Sequence, residues 1–360
     1  MKQRRKKILV VCPYPEGVAP SQRLKFEQYY SHFRDAGFEV EVSPFISQGF
    51  WKIIYRPGGL LSKIYFTLAG YLRRIADLFR IRRYDIVYVH LWVTPFGVPV
   101  FEWLFRKMAR TMIYDIDDLV YLADVKSKAH PLVTWIKGRR KPLYLMKHAD
   151  HVITCTPYLD QFVQQYNQAT TDISSTVNTD LYQPVMKTPG KRITIGWSGS
   201  LSTSKYFYLL EGVLKKLAAR YQFDILVIGD PSVSIDGLNV TAVPWNEKGE
   251  VANLQRIDIG VYPLPEEEWV LGKSGLKAIQ YMALGIPTVA TAIGANFRVI
   301  EHGVSGFLVK NEAEWIHYLS QLMEDPALRR RIGEAAREKV EEMFSIRANA
   351  KRYLDILHDL

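Results

Sequence analysis

Two lysines four residues apart, Lys273 and Lys277, stand at the head of an apolar stretch that reads as a helix over residues 273–284. Side chains at i and i+4 share a helix face. The first turn of a helix directs unpaired N–H groups outward, so a lysine placed there favours an anion. The other reading is a pair of solvated surface charges. A second candidate is the Gly- and Ser-rich run 196–205, GWSGSLSTSK. Its place between a strand and a helix suits backbone N–H groups that cradle phosphate, although a plain loop has the same composition. A third is Tyr114-Asp115-Ile116-Asp117-Asp118. Three carboxylates in four residues are costly unless solvated, paired or functional. Asp117 or Asp118 could take a proton from a hydroxyl, bind a metal, or cap a helix. His90 closes the strand over 85–89, where an imidazole is either a proton-transfer group or a satisfied structural one.

The elements that must position these groups alternate in type. Short β-branched runs at 8–11, 38–42, 85–89, 111–116 and 151–155 are separated by helical stretches, including 21–36. After a linker over 183–190 the pattern restarts, with strands at 193–196, 223–228, 240–243, 257–261, 288–290 and 306–309. Helices are expected over 206–221, 273–284, 312–324 and 326–343. Strands alternating with helices predict a parallel, doubly wound α/β sheet in each half. Ligands of such sheets bind beyond the carboxyl ends of the strands, where the strand order reverses. The expected domains are 1–185 and 186–345, with a final helix over 346–360 returning to the first.

The most informative stretch is 271–309, LGKSGLKAIQYMALGIPTVATAIGANFRVIEHGVSGFLV. Gly275-Leu276, Met282-Ala283, Gly285, Pro287, Val289-Ala290, Gly303 and the ending Gly306-Phe307-Leu308-Val309 resemble the nucleotide-sugar signature of glycosyltransferase family 4. Weaker resemblance covers Ala149-Asp150-His151-Val152-Ile153, Asn178-x-Asp180-x-Tyr182-x-Pro184 and Phe344-Ser345. The resemblance implies the GT-B fold, two tandem Rossmann-like domains with an interdomain cleft. It implies a retaining, hexosyltransferase-like enzyme that takes a nucleotide diphosphate sugar as co-substrate and needs neither metal nor cofactor. The acceptor domain would be 1–185 and the nucleotide-sugar domain 186–345.

By the same resemblance, Gly199, Ser200 and Lys205 fall where the family places a glycine, an arginine and a lysine on the donor diphosphate. Serine brings a hydroxyl but no charge. Lys273 and Lys277 would add ammonium groups. The family's two glutamates eight positions apart correspond to Gly272 and Gln280, so both carboxylates are missing. Gln280 still donates and accepts hydrogen bonds, and Glu266, Glu267 or Glu268 could supply a carboxylate, with Glu268 the chosen candidate. Gly17 lies in the loop that the family sets near donor phosphates. Arg23 is either an acceptor or phosphate contact or a helix-surface residue. His90, at a strand's carboxyl end, is expected to face the cleft and, with Asp117 and Asp118, makes the candidate catalytic set. The missing glutamate pair keeps a catalytically silent, nucleotide-sugar-binding relative in view; a basic membrane-associated scaffold and an epimerase are further alternatives.

Composition bounds the rest. The chain has 360 residues, 48% hydrophobic and 23% charged, which excludes disordered and low-complexity classes. Two cysteines cannot build a disulfide framework or a zinc ribbon. The net charge is +10, and all of it lies in the first half: 26 Lys and Arg against 16 Asp and Glu in residues 1–185, 21 against 21 in 186–360. In the first half Ile64, Leu68, Tyr71, Leu72, Ile75 and Phe79 recur at helical spacing amid Arg73, Arg74, Arg80, Arg82 and Arg83, and Arg139, Arg140 and Lys141 form another basic run. That pattern suits an amphipathic helix on anionic lipid, or ordinary packing with a solvated basic face. No apolar run reaches the roughly 18–20 residues of a membrane span. The expectation is a cytoplasmic protein on the inner face of a membrane. Its partners would be a nucleotide-sugar donor and a lipid-linked or envelope saccharide acceptor, with no nucleic acid.

Overall fold

The computed structural model describes residues 4–54, 56–119, 140–187 and 192–360. Arg139 and the last residues of the expected linker, Pro189 and Gly190, lie outside them. The chain divides into two compact units, Met1–Ser175 with Ala350–Leu360, and Thr176–Asn349. The division thus comes after residue 175 rather than 185. Residues 177–183 are bound into the second unit: Val177 exchanges backbone bonds with Phe344 and Ile346 (3.0 and 3.1 Å), and Arg337 donates to the carbonyls of Thr179 and Tyr182. The last helix, Ile346–Asp359, sets Tyr353 against Tyr29 of the first unit, ring centroids 4.5 Å apart.

The first unit is built on six parallel strands, β1 (Lys7–Cys12), β2 (Glu39–Pro44), β3 (Ile86–His90), β4 (Thr111–Asp115), β5 (His151–Thr154) and β6 (Thr170–Asp172), in the order β2-β1-β3-β4-β5-β6. The second has β7 (Ile193–Ser198), β8 (Phe223–Gly229), β9 (Val240–Pro244), β10 (Ile259–Tyr262), β11 (Thr288–Thr291) and β12 (Phe307–Val309), in the order β12-β11-β10-β7-β8-β9, also parallel. Order reverses between β1 and β3 and between β7 and β10, so each unit has a switch point where ligands of such sheets bind. Both faces of these sheets are covered. On β8, Leu226 and Ile228 enter one core and Ile225 and Val227 the other, as the two-residue side-chain period requires.

Three local departures from the sequence pattern matter below. The stretch 21–36 is not one helix but a turn of helix (Pro20–Arg23), a 3-10 turn (Glu27–Tyr29) and a short helix (Tyr30–Asp35). The stretch 273–284 is helical only over Leu276–Ala283: the preceding 3-10 turn, Glu268–Gly272, gives way to an extended Lys273, and Gly275, in a left-handed backbone (φ 77°), immediately precedes the helix. The edge strand β6 carries Thr-Thr-Asp and therefore no apolar signal.

The helix Leu60–Arg80 is turned inside out. Its inward face holds Gly70, Arg74 and Asp77, all buried, with Phe66 and Tyr71 packed on Phe50 and Phe45, while Leu61, Ile64, Leu68, Leu72, Ile75 and Phe79 point outward. Gly70 is required by close approach, since a Cβ there would lie 2.7 Å from the Phe45 ring. Arg74 donates to the carbonyls of Val93 (2.7 Å), Ser43 (3.0 Å) and Cys12 (3.0 Å) and pairs with Asp77 at 3.0 Å. It is thus a structural tie, not part of a basic surface. Lys141 is likewise buried, donating to the carbonyls of Thr94 and Phe96 at 2.8 Å, 3.4 Å from Glu102.

Candidate functional site

At the switch point of the second unit, three of the sequence-selected lysines gather on a wall of aromatic rings. Lys277 lies over Trp197, the fifth residue of β7 (4.6 Å to the centroid), and over Tyr262, the last residue of β10 (5.4 Å). Lys273 lies over Trp269 at 5.5 Å, Trp269 packs on Tyr206 at 5.3 Å, and Lys205 lies over Tyr206 at 5.0 Å. Cations over ring faces are held by the ring quadrupole without a counter-ion. The rings were not singled out from sequence; four aromatic residues beside the candidate lysines were the available signal.

The roles of the two central lysines are exchanged relative to expectation. Lys273 is extended and precedes the helix, whereas Lys277 occupies its first turn. Lys277 is also no solvated surface charge. Burial pushes its ammonium down to about 7, Lys273 adds to that shift, and among the described residues no carboxylate pairs with it. A cation in the first turn, beside a second one and the helix's first N–H groups, is an arrangement that can hold an anion.

Gly199 accompanies this site. Its N–H donates to Ile228 (2.9 Å), and its carbonyl passes so close to Gly229 (φ 121°) that a Cβ on Gly229 would lie 1.6 Å from it. Ser200 is exposed, its hydroxyl 2.9 Å from that of Ser202 and 3.2 Å from that of Thr203. Tyr281 fixes the strand end by bonding both the N–H (2.7 Å) and the hydroxyl (3.0 Å) of Ser198. Glu268 opens the 3-10 turn that leads to Lys273 and is partly exposed, while Glu267 accepts from the Trp269 indole. Gly272 is buried.

Gln280 sits in a buried network. Its amide donates to the Tyr182 hydroxyl (2.9 Å) and to Glu250 (3.2 Å), and Glu250 also accepts from Tyr182 (3.0 Å) and the Trp245 indole (3.0 Å). A carboxylate therefore stands beside position 280 even though residue 280 is an amide. Two carboxylates at that spacing could not both ionise. Glu250 was invisible from sequence, since it lies thirty residues away on another element.

The first unit places its candidates differently. Gly17 (φ 81°) sits in the loop after β1, and its N–H donates to Glu27 at 2.9 Å. Gln22 bonds both the N–H (2.9 Å) and the carbonyl (3.0 Å) of Tyr14 and donates to Glu27 (2.8 Å), so the broken helix is what fastens this loop. Arg23 is partly buried in the Pro20–Arg23 turn. His90 is fully buried and packed on Phe26 (4.9 Å) rather than open to solvent, and among the described residues neither ring nitrogen has a hydrogen-bond partner. Its Nδ1 lies 3.7 Å from Asp115, which pairs with buried Lys25 and accepts from Tyr88. Burial alone would raise the Asp115 carboxyl; the Lys25 ammonium, with His90 adding to it, outweighs burial and holds it below its ordinary value. Asp117 and Asp118 follow β4 and are partly exposed, Asp118 in a left-handed backbone (φ 67°).

Two such sheets, each with its switch point, define a GT-B protein. The chain is similar to sucrose-phosphate synthase from Thermosynechococcus elongatus (18% identity, 99% of each chain, TM-score 0.70). It is also similar to Anabaena HepE in complex with UDP and glucose (16% identity, 99% of this chain and 100% of that, TM-score 0.69). Residues 192–325 match the family described as Glycosyl transferases group 1. A D-inositol 3-phosphate glycosyltransferase of Arthrobacter is 25% identical over 298 residues, 73% of this chain and 69% of that one. That family match falls within the second unit, and the fold of the whole chain is that of GT-B glycosyltransferases. It spans only about a fifth of the length of some other curated relatives that it matches.

Proposed function

We propose that this protein is a retaining glycosyltransferase that moves a hexose from a nucleotide diphosphate sugar to a lipid-linked or envelope saccharide. The observation that carries the reading is the Lys205–Lys273–Lys277 group on its aromatic wall at the β7/β10 switch point, where Lys277 has no carboxylate partner among the described residues. The neighbours' ligands agree with it, since HepE is described with UDP and glucose.

As the bond from the sugar's anomeric carbon to the diphosphate breaks, negative charge grows on the departing phosphate oxygen. Lys273, Lys277 and the first-turn N–H groups of the helix Leu276–Ala283 stabilise that charge, with Lys205 and Gly199 holding the rest of the diphosphate. Fixed donors aimed at developing charge are the largest contribution expected of the protein. Glu268 and the Gln280–Glu250 pair bind donor hydroxyls. The acceptor falls to the first unit, where Gly17 and Arg23 orient it and Asp117 or Asp118 takes its hydroxyl proton; His90 acts behind them through Asp115.

Thermal unfolding in UDP-glucose, UDP-N-acetylglucosamine or GDP-mannose tests the reading. A donor at a hundred times its Kd adds about 2.7 kcal/mol, a shift of several degrees. Mass spectrometry on a lipid-linked saccharide then separates transfer from silent binding. No shift with any nucleotide sugar, or Lys273→Ala binding donor as the parent does, overturns it.

A further inference from the structure

The outward face of Leu60–Arg80 has no counterpart in the donor chemistry. Leu61, Ile64, Leu68, Leu72, Ile75 and Phe79, with Tyr65 beside them, follow one another at three- and four-residue steps and are 41–85% exposed. Such steps keep side chains on one face, so the stripe runs the length of a 21-residue helix, on the order of 30 Å. No charged residue interrupts it. The polar groups that would normally face solvent, Arg74 and Asp77, are the buried ones. The apolar surface continues onto the neighbouring segment, where Phe96, Val98, Val100 and Trp103 are exposed and Tyr71 donates to the Phe96 carbonyl at 3.2 Å. A contiguous apolar patch of this length marks a surface that is covered in use.

Its borders are cationic. Exposed Lys52 and Arg56 precede the helix and exposed Arg82 and Arg83 follow it, while Lys107 lies on the adjoining helix Val100–Met108. Arg73 and Arg80 flank the stripe, tied to the Pro44 carbonyl and to Asp77 and Glu41 respectively. These borders decide between the candidate occupants. A second copy docked face to face would oppose basic borders to basic borders, since a two-fold interface pairs a patch with itself. A bilayer offers hydrocarbon to the stripe and anionic headgroups to its rim, and Tyr65 and Trp103 suit the headgroup level. Among the described residues no helix is long and apolar enough to cross a membrane, so the helix would lie in the interface.

We propose that the Leu60–Arg80 helix is a membrane-docking element. Its Leu61-to-Phe79 face inserts among the acyl chains of an anionic leaflet, and Lys52, Arg56, Arg82 and Arg83 contact the headgroups. This placement rests on the helix alone and stands apart from the donor site. The test is sedimentation of the full chain with phosphatidylcholine vesicles and with phosphatidylcholine–phosphatidylglycerol vesicles. The chain is expected to pellet with the mixed vesicles and to be released by salt. Leu68→Gln with Leu72→Gln, both on the exposed face, is expected to weaken binding at least tenfold with unchanged thermal unfolding and unchanged donor-induced shift. Arg82→Gln with Arg83→Gln is expected to weaken it about thirtyfold at low salt. Absence from both pellets, equal binding to neutral vesicles, or leucine variants that pellet like the parent would overturn the proposal. So would a dimer by light scattering that the leucine variants split while vesicle binding is absent.

Discussion

Each unit shelters cations, but in opposite company. In the first, buried Lys25, Arg74 and Lys141 each face a carboxylate, Asp115, Asp77 and Glu102. In the second, half-buried Lys277 lies over Trp197 and Tyr262 and has no carboxylate among the described residues. The net charges run the other way: 28 Lys and Arg against 17 Asp and Glu in the first unit, 19 against 20 in the second. The unit with the surplus neutralises what it buries and keeps its excess outside. The neutral unit leaves one half-buried cation uncompensated. Net charge therefore says little about where an anion binds; the partner of each sheltered charge says more. A compensated pair has its charge satisfied within the fold, whereas an uncompensated ammonium is available to an anionic ligand.

The largest effect should come from breaking compensation. Lys25→Met leaves the Asp115 carboxylate buried without its ammonium, a change that costs about 3–5 kcal/mol. Denaturant unfolding near neutral pH should show that loss, whereas Lys277→Met, which removes an unpaired charge, should leave the unliganded protein as stable or more so. Equal losses in the two variants would break the distinction. The Asp115 carboxyl is held below its ordinary value, so its contribution is present above about pH 4 and fades as acid protonates it. Lys25→Met should flatten that acid limb.

Donor binding should reverse the ranking. Losing a charge-assisted hydrogen bond costs about 1.5–3 kcal/mol, so Lys273→Ala or Lys277→Met should weaken nucleotide-sugar binding ten- to a hundredfold in calorimetry. Arg74 and Lys141 lie in the basic half and are not expected to contribute to that affinity. A donor that binds Lys277→Met as tightly as the parent would make Lys277 a packing residue.

The network at position 280 sharpens the same comparison at smaller scale. Gln280→Glu restores the residue of the family pattern but sets a second carboxylate beside Glu250, 3.2 Å away in the parent contact. One of the two carboxyls must then hold its proton above its unfolded value of about 4.3. A carboxyl raised on folding contributes stability below its unfolded value and loses it as pH rises through the folded one. The variant should therefore be less stable than the parent by about 1–3 kcal/mol at pH 7 and recover towards pH 5. A variant as stable as the parent at pH 7 would mean that Glu250 moves away and that the two positions are independent.

Sequence pattern carried the fold further than the site. The strands were legible because parallel sheets are buried on both faces and read as apolar runs, as at Ile8-Leu9-Val10-Val11. β6 was not, because an edge strand of Thr-Thr-Asp lacks such a run. Lys273 and Lys277 could be found because their spacing is local, but their order at the helix start could not, since it turns on the left-handed Gly275. Lys25 carried no signal in the sequence because its partner, Asp115, lies ninety residues away. Glu250 was hidden for the same reason. The inverted helix was half legible: the apolar spacing was plain, but only the structure shows that this stripe faces outward while Arg74 faces in.

The smallest expected effect is also the one most specific to an uncompensated ammonium. Lys277 is held near 7 by burial, with Lys273 adding to it, so at neutral pH roughly half of the unliganded molecules carry a neutral amine there. A bound diphosphate favours the ammonium, so binding must take up a proton. The diphosphate of a nucleotide sugar is esterified on both sides and does not itself titrate near neutrality, which leaves the uptake to the protein. From pH 7 to pH 8 the unliganded lysine loses its proton more completely, and affinity should fall about fivefold; below pH 6 it should level off. Calorimetry in buffers of different ionisation enthalpy should report uptake of about half a proton at pH 7, abolished in Lys277→Met. A compensated lysine such as Lys25, already charged in the free protein, would give no such signal, so finding none here would place Lys277 with the structural charges of the first unit.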